Sequence, residues 1–437
     1  MNTKNFIAPF IFVSVAYSAF ALQATVMHTD YTQANIWVLQ DKQQQDISVV
    51  VRDAKSGKET SASDLSIDNA TITDGRIRKI KVNELSPNTK YTYEVKDNQT
   101  QQSIKGSFTT TPDYKDRTPP PDFSFVVLGK NYENDAPFDV PFRTNGGEYE
   151  IFETVANTKP CFAIWAGGTD TLRPADMGSR EAMLSRFAKS RMQKFAQKLL
   201  QNTSNYGVMA SVSFGTDNAD KYAPSAKNAK DAFDSFWVIP QKNGESFYYS
   251  FSYSDVDIFV LDCCSQRSNL DYKEHMPKIL GAEQIKWLMA NLSASKATFK
   301  IIVSNIPFAN PVSSPKNFTF AEKERKEILD FLALKKIEGI IFISANKNYA
   351  ETTRLIRAGA YPLYEATVGA LTDRPANDVS EMNYFRQPNS LIKKRSFLNV
   401  KVDGSENDRH ITLSFIDAKG IQAYSFTLKQ SDLQGRQ

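Results

Sequence analysis

Residues 119–129, Pro-Pro-Pro-Asp-Phe-Ser-Phe-Val-Val-Leu-Gly, mark the point at which the sequence pattern changes. Three consecutive prolines are stiff and lack the N–H that a sheet needs, so we predict a linker over residues 113–121. From Asp122 onward, nearly continuous apolar runs alternate with helical patterns, which is typical of a layered α/β domain. We therefore predict an α/β (α+β) domain over residues 122–437.

The predicted strands of this domain are six apolar runs, and most of the connections between them have helical periodicity. The runs are Phe123–Gly129, Cys161–Gly167, Tyr206–Ser213, Phe247–Asp262, Phe299–Asn305 and Ile337–Asn346. The helical segments are Arg180–Asn202, Ala226–Trp237, Gly281–Leu292 and Ala321–Leu334. Two late runs, Ser396–Val402 and His410–Leu428, predict antiparallel strands.

The chain before the linker, residues 25–112, has the alternation of a small β-sandwich. Short strand-like runs are separated by turn residues such as Asp74-Gly75. The most specific piece is Leu85–Val95, where a Pro-Asn turn is followed by Tyr-x-Tyr-x-Val. This piece resembles the tyrosine corner of fibronectin type III domains, which predicts that fold for the N-terminal domain.

The first 21 residues have the pattern of a secretory signal peptide. Lys4 supplies the positive start, Phe6–Ala16 is apolar, and Ala19-Phe20-Ala21 is a small-residue cleavage site. A buried N-terminal strand is the alternative. We expect cleavage near Ala21, export to the periplasm or the medium, and no transmembrane segment in the mature chain, since no later stretch approaches 20 apolar residues.

Composition excludes several classes of protein. The chain has 53 Lys and Arg against 49 Asp and Glu, a net charge of +4, which does not favour nucleic-acid binding. Only three His occur in 437 residues, so a His-rich metal site is hard to build.

The chain has three cysteines, Cys161, Cys263 and Cys264, so at least one thiol has no partner for a disulfide within the chain. The simpler interpretation is that all three are small buried residues at strand ends. The alternative is a disulfide from Cys161 to Cys263 or Cys264.

Several stretches in order resemble the alkaline phosphatase D (PhoD-like) metallophosphoesterases, and the resemblance covers nearly the whole chain after the signal. They are Gly146–Phe152, Arg173–Asp176, Ser179-Arg180, Asn218–Asp220, Leu280–Leu288, Ser295–Ile301, and Leu371-Thr372 with Asn383. The resemblance implies a metallophosphoesterase-like α/β domain after an N-terminal β-sandwich. Members of that family hydrolyse phosphoric esters at a metal centre, and the resemblance implies the same activity for a chain that keeps the metal ligands.

The metal-ligand motifs of that family are altered in this chain. A two-metal site needs carboxylates, thiolates or imidazoles to hold cations about 3.5–4 Å apart. By the resemblance, Lys130 stands in place of a Cys ligand, Gly168 in place of the bridging Asp, and Asn348 in place of a His. The full set at the corresponding positions is Lys130, Gly168, Ala210, Ser211, Val212, Asn346 and Asn348.

Together with the signal peptide, these replacements predict an exported homologue without catalysis and without a metal cofactor, acting as a binding or scaffold protein for an envelope partner or an anionic ligand. Lys130 and Lys347 could form an anion pocket, or could simply reach solvent. The residual metal-ligand candidates are Asp170 and Asp262; for Asp170 a turn or capping role is the commoner one. The alternative function is an active hydrolase with divalent metal ions at a remodelled site.

Overall fold

The structure is a computed structural model, and it describes residues 22–435 apart from 42–45, 61, 65–70, 73–74, 136–138, 140–143, 217, 241–243 and 270–275. The predicted signal peptide, residues 1–21, lies outside the described residues. Within the described part, no helix is long and apolar enough to cross a membrane.

The N-terminal domain is a sandwich of two antiparallel sheets. Its strands are β1 (Gln23–Thr29), β2 (Ala34–Asp41), β3 (Ile47–Asp53), β4 (Glu59–Thr60), β5 (Ala62–Asp64), β6 (Thr71–Ile72), β7 (Gly75–Val82), β8 (Lys90–Asp97) and β9 (Ser103–Thr109). One sheet has the order β1-β2-β7-β5, with β6 also paired to β7, and the other has the order β4-β3-β8-β9. The tyrosine corner forms: the backbone N–H of Ser86 donates to the Tyr91 hydroxyl over 2.8 Å.

The second domain contains twelve strands and seven α-helices in its described residues. The strands are β10 (Phe123–Leu128), β11 (Phe162–Trp165), β12 (Ser204–Gly207), β13 (Tyr249–Tyr253), β14 (Val256–Val260), β15 (Phe299–Ser304), β16 (Ile340–Ser344), β17 (Glu351–Leu355), β18 (Leu363–Thr367), β19 (Ser396–Ser405), β20 (Asp408–Asp417) and β21 (Gln422–Lys429). The helices are α1 (Ile151–Asn157), α2 (Arg180–Arg191), α3 (Gln197–Asn202), α4 (Ser211–Phe214), α5 (Ala226–Phe236), α6 (Ala282–Ala294) and α7 (Glu322–Leu334).

These elements form two mixed six-stranded sheets. The first has the order β12-β11-β10-β19-β20-β21, and the second has the order β13-β14-β15-β16-β18-β17. One apolar core combines residues of both sheets with α6 and α7, as Phe125, Val303 and Leu288 illustrate. The opposite face of the first sheet packs against α1, α2, α3 and α5. The central parallel strands β10, β11, β15 and β16 are therefore buried on both faces, which explains their nearly continuous apolar sequence.

The two domains share part of their core. Trp37, Leu39 and Ile77 of the N-terminal domain belong to the same buried cluster as the residues of α2 and α5. The Trp37 indole N–H also donates to the backbone oxygen of Ser235, 3.0 Å away. Apolar burial across this boundary therefore holds the sandwich against the α/β domain.

Two predicted strands are wrong in extent. The run Tyr206–Ser213 is strand only to Gly207, and Ser211–Phe214 form the helical turn α4. The run Phe247–Asp262 is a hairpin of two strands, β13 and β14, because Ser254 between them adopts a positive φ of 52° and reverses the chain. Continuous apolar sequence does not reveal such a turn, since both strands are buried.

The three cysteines are free thiols. Cys263 and Cys264 are buried after β14, whereas Cys161 is half-buried just before β11. These positions agree with small residues at strand ends. They do not form the alternative disulfide from Cys161.

Candidate functional site

The carboxyl ends of the parallel strands gather the positions that the resemblance assigns to metal ligands. Lys130 follows β10, and its backbone N–H donates to the Gly369 oxygen after β18, 3.0 Å away. This approach is close: a Cβ added to Gly129 would lie 1.9 Å from that same oxygen. Glycine at 129 is therefore required to bring Lys130 against the end of β18.

The Lys130 side chain is directed at Asn348. Its ammonium group is buried and donates to Asn348 Oδ1 over 2.9 Å. The Asn348 amide in turn donates to the Arg374 oxygen over 2.6 Å. Thus the residues at the predicted Cys and His ligand positions bind each other, and the Lys130 ammonium places a positive charge there.

Lys347 forms an ion pair with Glu381. Its ammonium group lies 2.8 Å from Glu381 Oε2, and both side chains are largely buried. Burial tends to raise the pKa of Glu381, but the hydrogen bond and the charge of Lys347 prevail and hold that pKa below its usual value. Sequence reasoning missed Glu381, because it lies 34 residues from Lys347 on a different loop.

Lys130 also has an acidic neighbour. Burial raises the pKa of Asp373, and the positive charge of Lys130 opposes this rise. Each lysine of the predicted anion pocket is therefore near a carboxyl group of the protein. This reduces the positive charge available to a ligand, and the pocket stays a prediction.

Gly168 occupies the position predicted for a bridging Asp, and the structure leaves no room for that side chain. Its φ is +97°, a region that side-chain-bearing residues rarely adopt. A Cβ at Gly168 would lie 2.4 Å from Ser213 Oγ and 2.8 Å from the Ala210 Cβ. A carboxylate at this position would require both the backbone and α4 to move.

Ala210, Ser211 and Val212 lie at the start of α4, and all three are buried. The backbone N–H of Ser211 donates to Asn305 Oδ1 over 2.9 Å, and the Asn305 amide donates to the Ala166 oxygen over 2.9 Å. Asn305 thus ties the end of β15 to two neighbouring strand ends. The sequence places Asn305 at a strand end but gives no sign of this bridging role.

Asn346 and Ser211 carry polar atoms with no hydrogen-bond partner among the described residues. The atoms without a partner are Nδ2 and Oδ1 of Asn346 and Oγ of Ser211, although Asn346 is only 2% exposed. The positive φ of Asn346, 66°, holds it in a sharp turn after β16. Buried amides of this kind are normally paired, so this edge of the sheets still offers polar groups to water or a small ligand.

Asp170, the first residual metal-ligand candidate, forms a buried ion pair. Its Oδ2 lies 3.1 Å from Arg186 Nε, and both side chains are fully buried. Burial raises the pKa of Asp170 well above its usual range, and the charge of Arg186 opposes the shift. Its Oδ1 accepts the backbone N–H of Thr171 over 2.8 Å. Asp170 therefore acts as a turn residue and an ion-pair partner in this arrangement.

Asp262, the second candidate, is occupied by backbone groups. Its Oδ1 accepts the N–H groups of Cys264 and Ser265, each over 3.0 Å, and its Oδ2 accepts the N–H of Phe247 over 3.0 Å. Three backbone donors organise the turn after β14 around this carboxylate. A metal ion at Asp262 would have to displace them.

The residues gathered here do not fit a two-metal centre. Lys130 adds positive charge at a predicted ligand position, and Gly168 cannot be exchanged for a carboxylate without rearrangement. Among the described residues, no group of three or more His, Cys, Asp or Glu could hold a metal ion. Amide and hydroxyl groups beside an ammonium are poor ligands for transition metals, which favour thiolate and imidazole.

Comparisons with known proteins agree with the observed fold. Residues 202–413 match the family model described as PhoD-like phosphatase. The structure of PhoD superposes with a TM-score of 0.74 at 14% identity, covering 95% of this chain and 92% of that one. The purple acid phosphatase PPD1 from yellow lupin (Lupinus luteus) seeds gives a TM-score of 0.66 at 13% identity, covering 93% of this chain and 74% of that one. No curated protein sequence gives a significant match.

Proposed function

Because the chain belongs to the PhoD-like phosphatase family, we propose that it keeps the family fold and works as a non-catalytic binding or scaffold protein. One observation carries the proposal: the Lys130 ammonium donates to Asn348 Oδ1 over 2.9 Å, and the resemblance assigns both positions to metal ligands. A buried cation there opposes divalent metal ions, and water activated by such ions is what a metallophosphoesterase needs for hydrolysis.

The surrounding residues support the same proposal. The crowded environment of Gly168 excludes a bridging carboxylate, and both Asp170 and Asp262 are engaged in structural contacts. The family fold nevertheless extends over nearly the whole chain. A fold that is kept while its ligands are lost is suited to recognition of a partner or a ligand, since function lies in sites and surfaces rather than in the fold itself.

The proposal predicts a protein without bound metal and without phosphoesterase activity. The purified protein, prepared without chelators, should contain far less than one metal ion per chain by elemental analysis. With p-nitrophenyl phosphate and bis-p-nitrophenyl phosphate and added Fe, Ca, Zn, Mg or Mn salts, turnover should equal that of the salts alone.

The alternative, an active hydrolase with a remodelled site, predicts the opposite result. Near-stoichiometric metal, together with turnover that the Asp262→Asn variant abolishes and an exposed-surface variant such as Lys286→Gln retains, would overturn the non-catalytic proposal. Lys286 is a suitable control because its ion pair with Glu283 is on the surface.

Export is a second part of the proposal, supported by the charged start, apolar run and Ala-Phe-Ala site of residues 1–21. Expression of the full chain in a bacterial host, followed by fractionation and N-terminal sequencing, tests it. The expected product begins at Leu22 and is found in the periplasm or the medium. An uncleaved cytoplasmic product would contradict it.

A further inference from the structure

A cleft of about 520 Å³ lies between the N-terminal sandwich and the α/β domain. Phe108 of β9 lines one wall, while Asn202 at the end of α3 and the loop before β11 line the other. Its volume falls within the range of small-molecule sites, which occur preferentially at domain interfaces. The cleft borders the start of β11 and β12, so it is at the opposite edge of the sheet from Lys130.

The charge of this cleft has one sign. Lys90, Lys159 and Lys198 come from three separate elements, and no Asp or Glu is among its described lining residues. None of the three makes an ion pair with a carboxylate in the part of the chain that the structure describes; the Lys198 ammonium donates only to Asn157 Oδ1, over 2.8 Å. A concave surface of one charge concentrates ligands of the opposite charge.

A second cleft shows that this arrangement is not a consequence of the overall charge of the chain. It has a similar volume, about 500 Å³, and also contains three lysines, Lys221, Lys227 and Lys230. Three carboxylates, Asp231, Asp234 and Glu245, line it as well and offset those charges. Only the interdomain cleft of the two has an uncompensated positive lining.

The walls of the interdomain cleft are held in place by polar contacts between the domains. The Ser107 hydroxyl donates to Asn202 Oδ1 over 3.1 Å, and the Tyr93 hydroxyl donates to the Gln201 oxygen over 3.0 Å. These bonds join β8 and β9 to α3. A ligand would therefore meet a preformed cleft and would need to order only the three lysine side chains.

We propose that this interdomain cleft binds a small polyanion of the polyphosphate class, with the ammonium groups of Lys90, Lys159 and Lys198 contacting its phosphate oxygens. Three compact ammonium charges suit a ligand that carries several negative charges, since lysine binds phosphate as a point charge. The proposal is independent of the loss of catalysis, because no residue of the cleft belongs to the set at the strand carboxyl ends.

Cys161 provides a reporter inside the cleft. It lines the cleft and is half-buried, whereas Cys263 and Cys264 are buried elsewhere. In the native protein a neutral alkylating reagent should therefore modify Cys161 first. Bound polyphosphate should slow this modification, which mass spectrometry can assign to the peptide that contains Cys161.

The test is calorimetric titration of the whole protein with inorganic tripolyphosphate, at low and at high ionic strength, with Cys161 alkylation measured in parallel. The triple variant Lys90→Gln/Lys159→Gln/Lys198→Gln should bind about tenfold or more weakly, because steering and contact both depend on these charges. The matched control Lys221→Gln/Lys227→Gln/Lys230→Gln should bind as the wild type does. Thermal denaturation checks that both variants are folded.

Three results would overturn the proposal: no binding of tripolyphosphate by the wild type, equal affinity in the cleft variant, or binding that leaves Cys161 alkylation unchanged. The Lys130→Ala variant separates the two sites. If Lys130→Ala lost affinity while the triple cleft variant kept it, the anion would bind at the strand carboxyl ends and not in the interdomain cleft.

Discussion

Three tryptophans surround the buried guanidinium of Arg191. Its Cζ lies 4.1 Å from the centroid of the Trp237 ring, 5.6 Å from that of Trp37 and 5.9 Å from that of Trp165. Burial lowers the pKa of Arg191 to about 9. Its Nη2 donates to the Phe236 oxygen over 3.2 Å, while Nε and Nη1 have no hydrogen-bond partner among the described residues. Stacking on aromatic faces is therefore its principal interaction.

This geometry predicts that Arg191→Lys is more harmful than Arg191→Met. Lysine keeps the buried charge but loses the planar stacking, so we expect a loss of about 2 kcal/mol of unfolding free energy. Methionine removes the buried charge and fills similar space, so its cost should be about 1 kcal/mol or less. Denaturant unfolding followed by tryptophan fluorescence measures both, with the exposed Arg117→Lys as control. Equal stability of Arg191→Lys and the wild type would refute this account.

At the scale of single elements, the tyrosine corner illustrates a local motif with a local effect. Tyr91 is buried at the start of β8, and its hydroxyl accepts the N–H of Ser86 from the preceding turn. Tyr93, two residues later, uses its hydroxyl differently, since it donates to Gln201 of α3 across the domain boundary. The same residue type therefore stabilises a turn at one position and a domain contact at the other.

Removal of the Tyr91 hydroxyl and removal of the Tyr93 hydroxyl should each lower the free energy of unfolding, but through the loss of different contacts. Tyr91→Phe and Tyr93→Phe should each cost about 1 kcal/mol, the usual net value of one hydrogen bond. Hydrogen exchange should increase in the turn before β8 for Tyr91→Phe, and in α3 for Tyr93→Phe. Tyr384→Phe, at a site 84% exposed, is the control and should change neither. Faster exchange in α3 for both variants would contradict the local role of Tyr91.

At the scale of the whole molecule, His28 links the sandwich to the first sheet of the α/β domain. Its Nδ1 lies 3.1 Å from the Tyr206 hydroxyl of β12. Burial lowers the pKa of His28 to about 4, and the nearby Asp30 only partly opposes this shift. The folded protein therefore holds this ring neutral, whereas the unfolded chain binds a proton near pH 6.5.

The sign of the pH effect follows from linkage. Since the folded pKa lies below the unfolded one, the contribution of His28 is fully present above about pH 6.5 and is lost as the pH falls toward 4. The full loss corresponds to about 3 kcal/mol. His28→Gln should therefore lose less stability than the wild type between pH 7 and pH 4, as measured by denaturant unfolding. His410→Gln, at a half-buried position of β20 beside Asp408, is the control for loss of a histidine. Identical pH profiles for His28→Gln and the wild type would refute the prediction.

Much of this protein could be predicted from its sequence because the relevant signals are local. The mixed α/β fold class, the tyrosine corner around Tyr91 and most strands follow from periodicity and turn chemistry. The linker and the domain boundaries stay predictions. The predicted replacement of ligand residues, for example by Lys130 and Gly168, rests on flanking stretches that resemble the PhoD-like family, and it stays a prediction. The hairpin between β13 and β14 was missed, because two buried strands give one continuous apolar run.

Only the tertiary structure decided what the replaced residues contact. Asn348 next to Lys130, Glu381 next to Lys347 and the crowding at Gly168 all join residues far apart in the chain. Such pairings depend on how loops from different strands converge, and no local pattern encodes that. The same holds for the three-lysine cleft, since its positive charge arises only when the sandwich packs against the α/β domain.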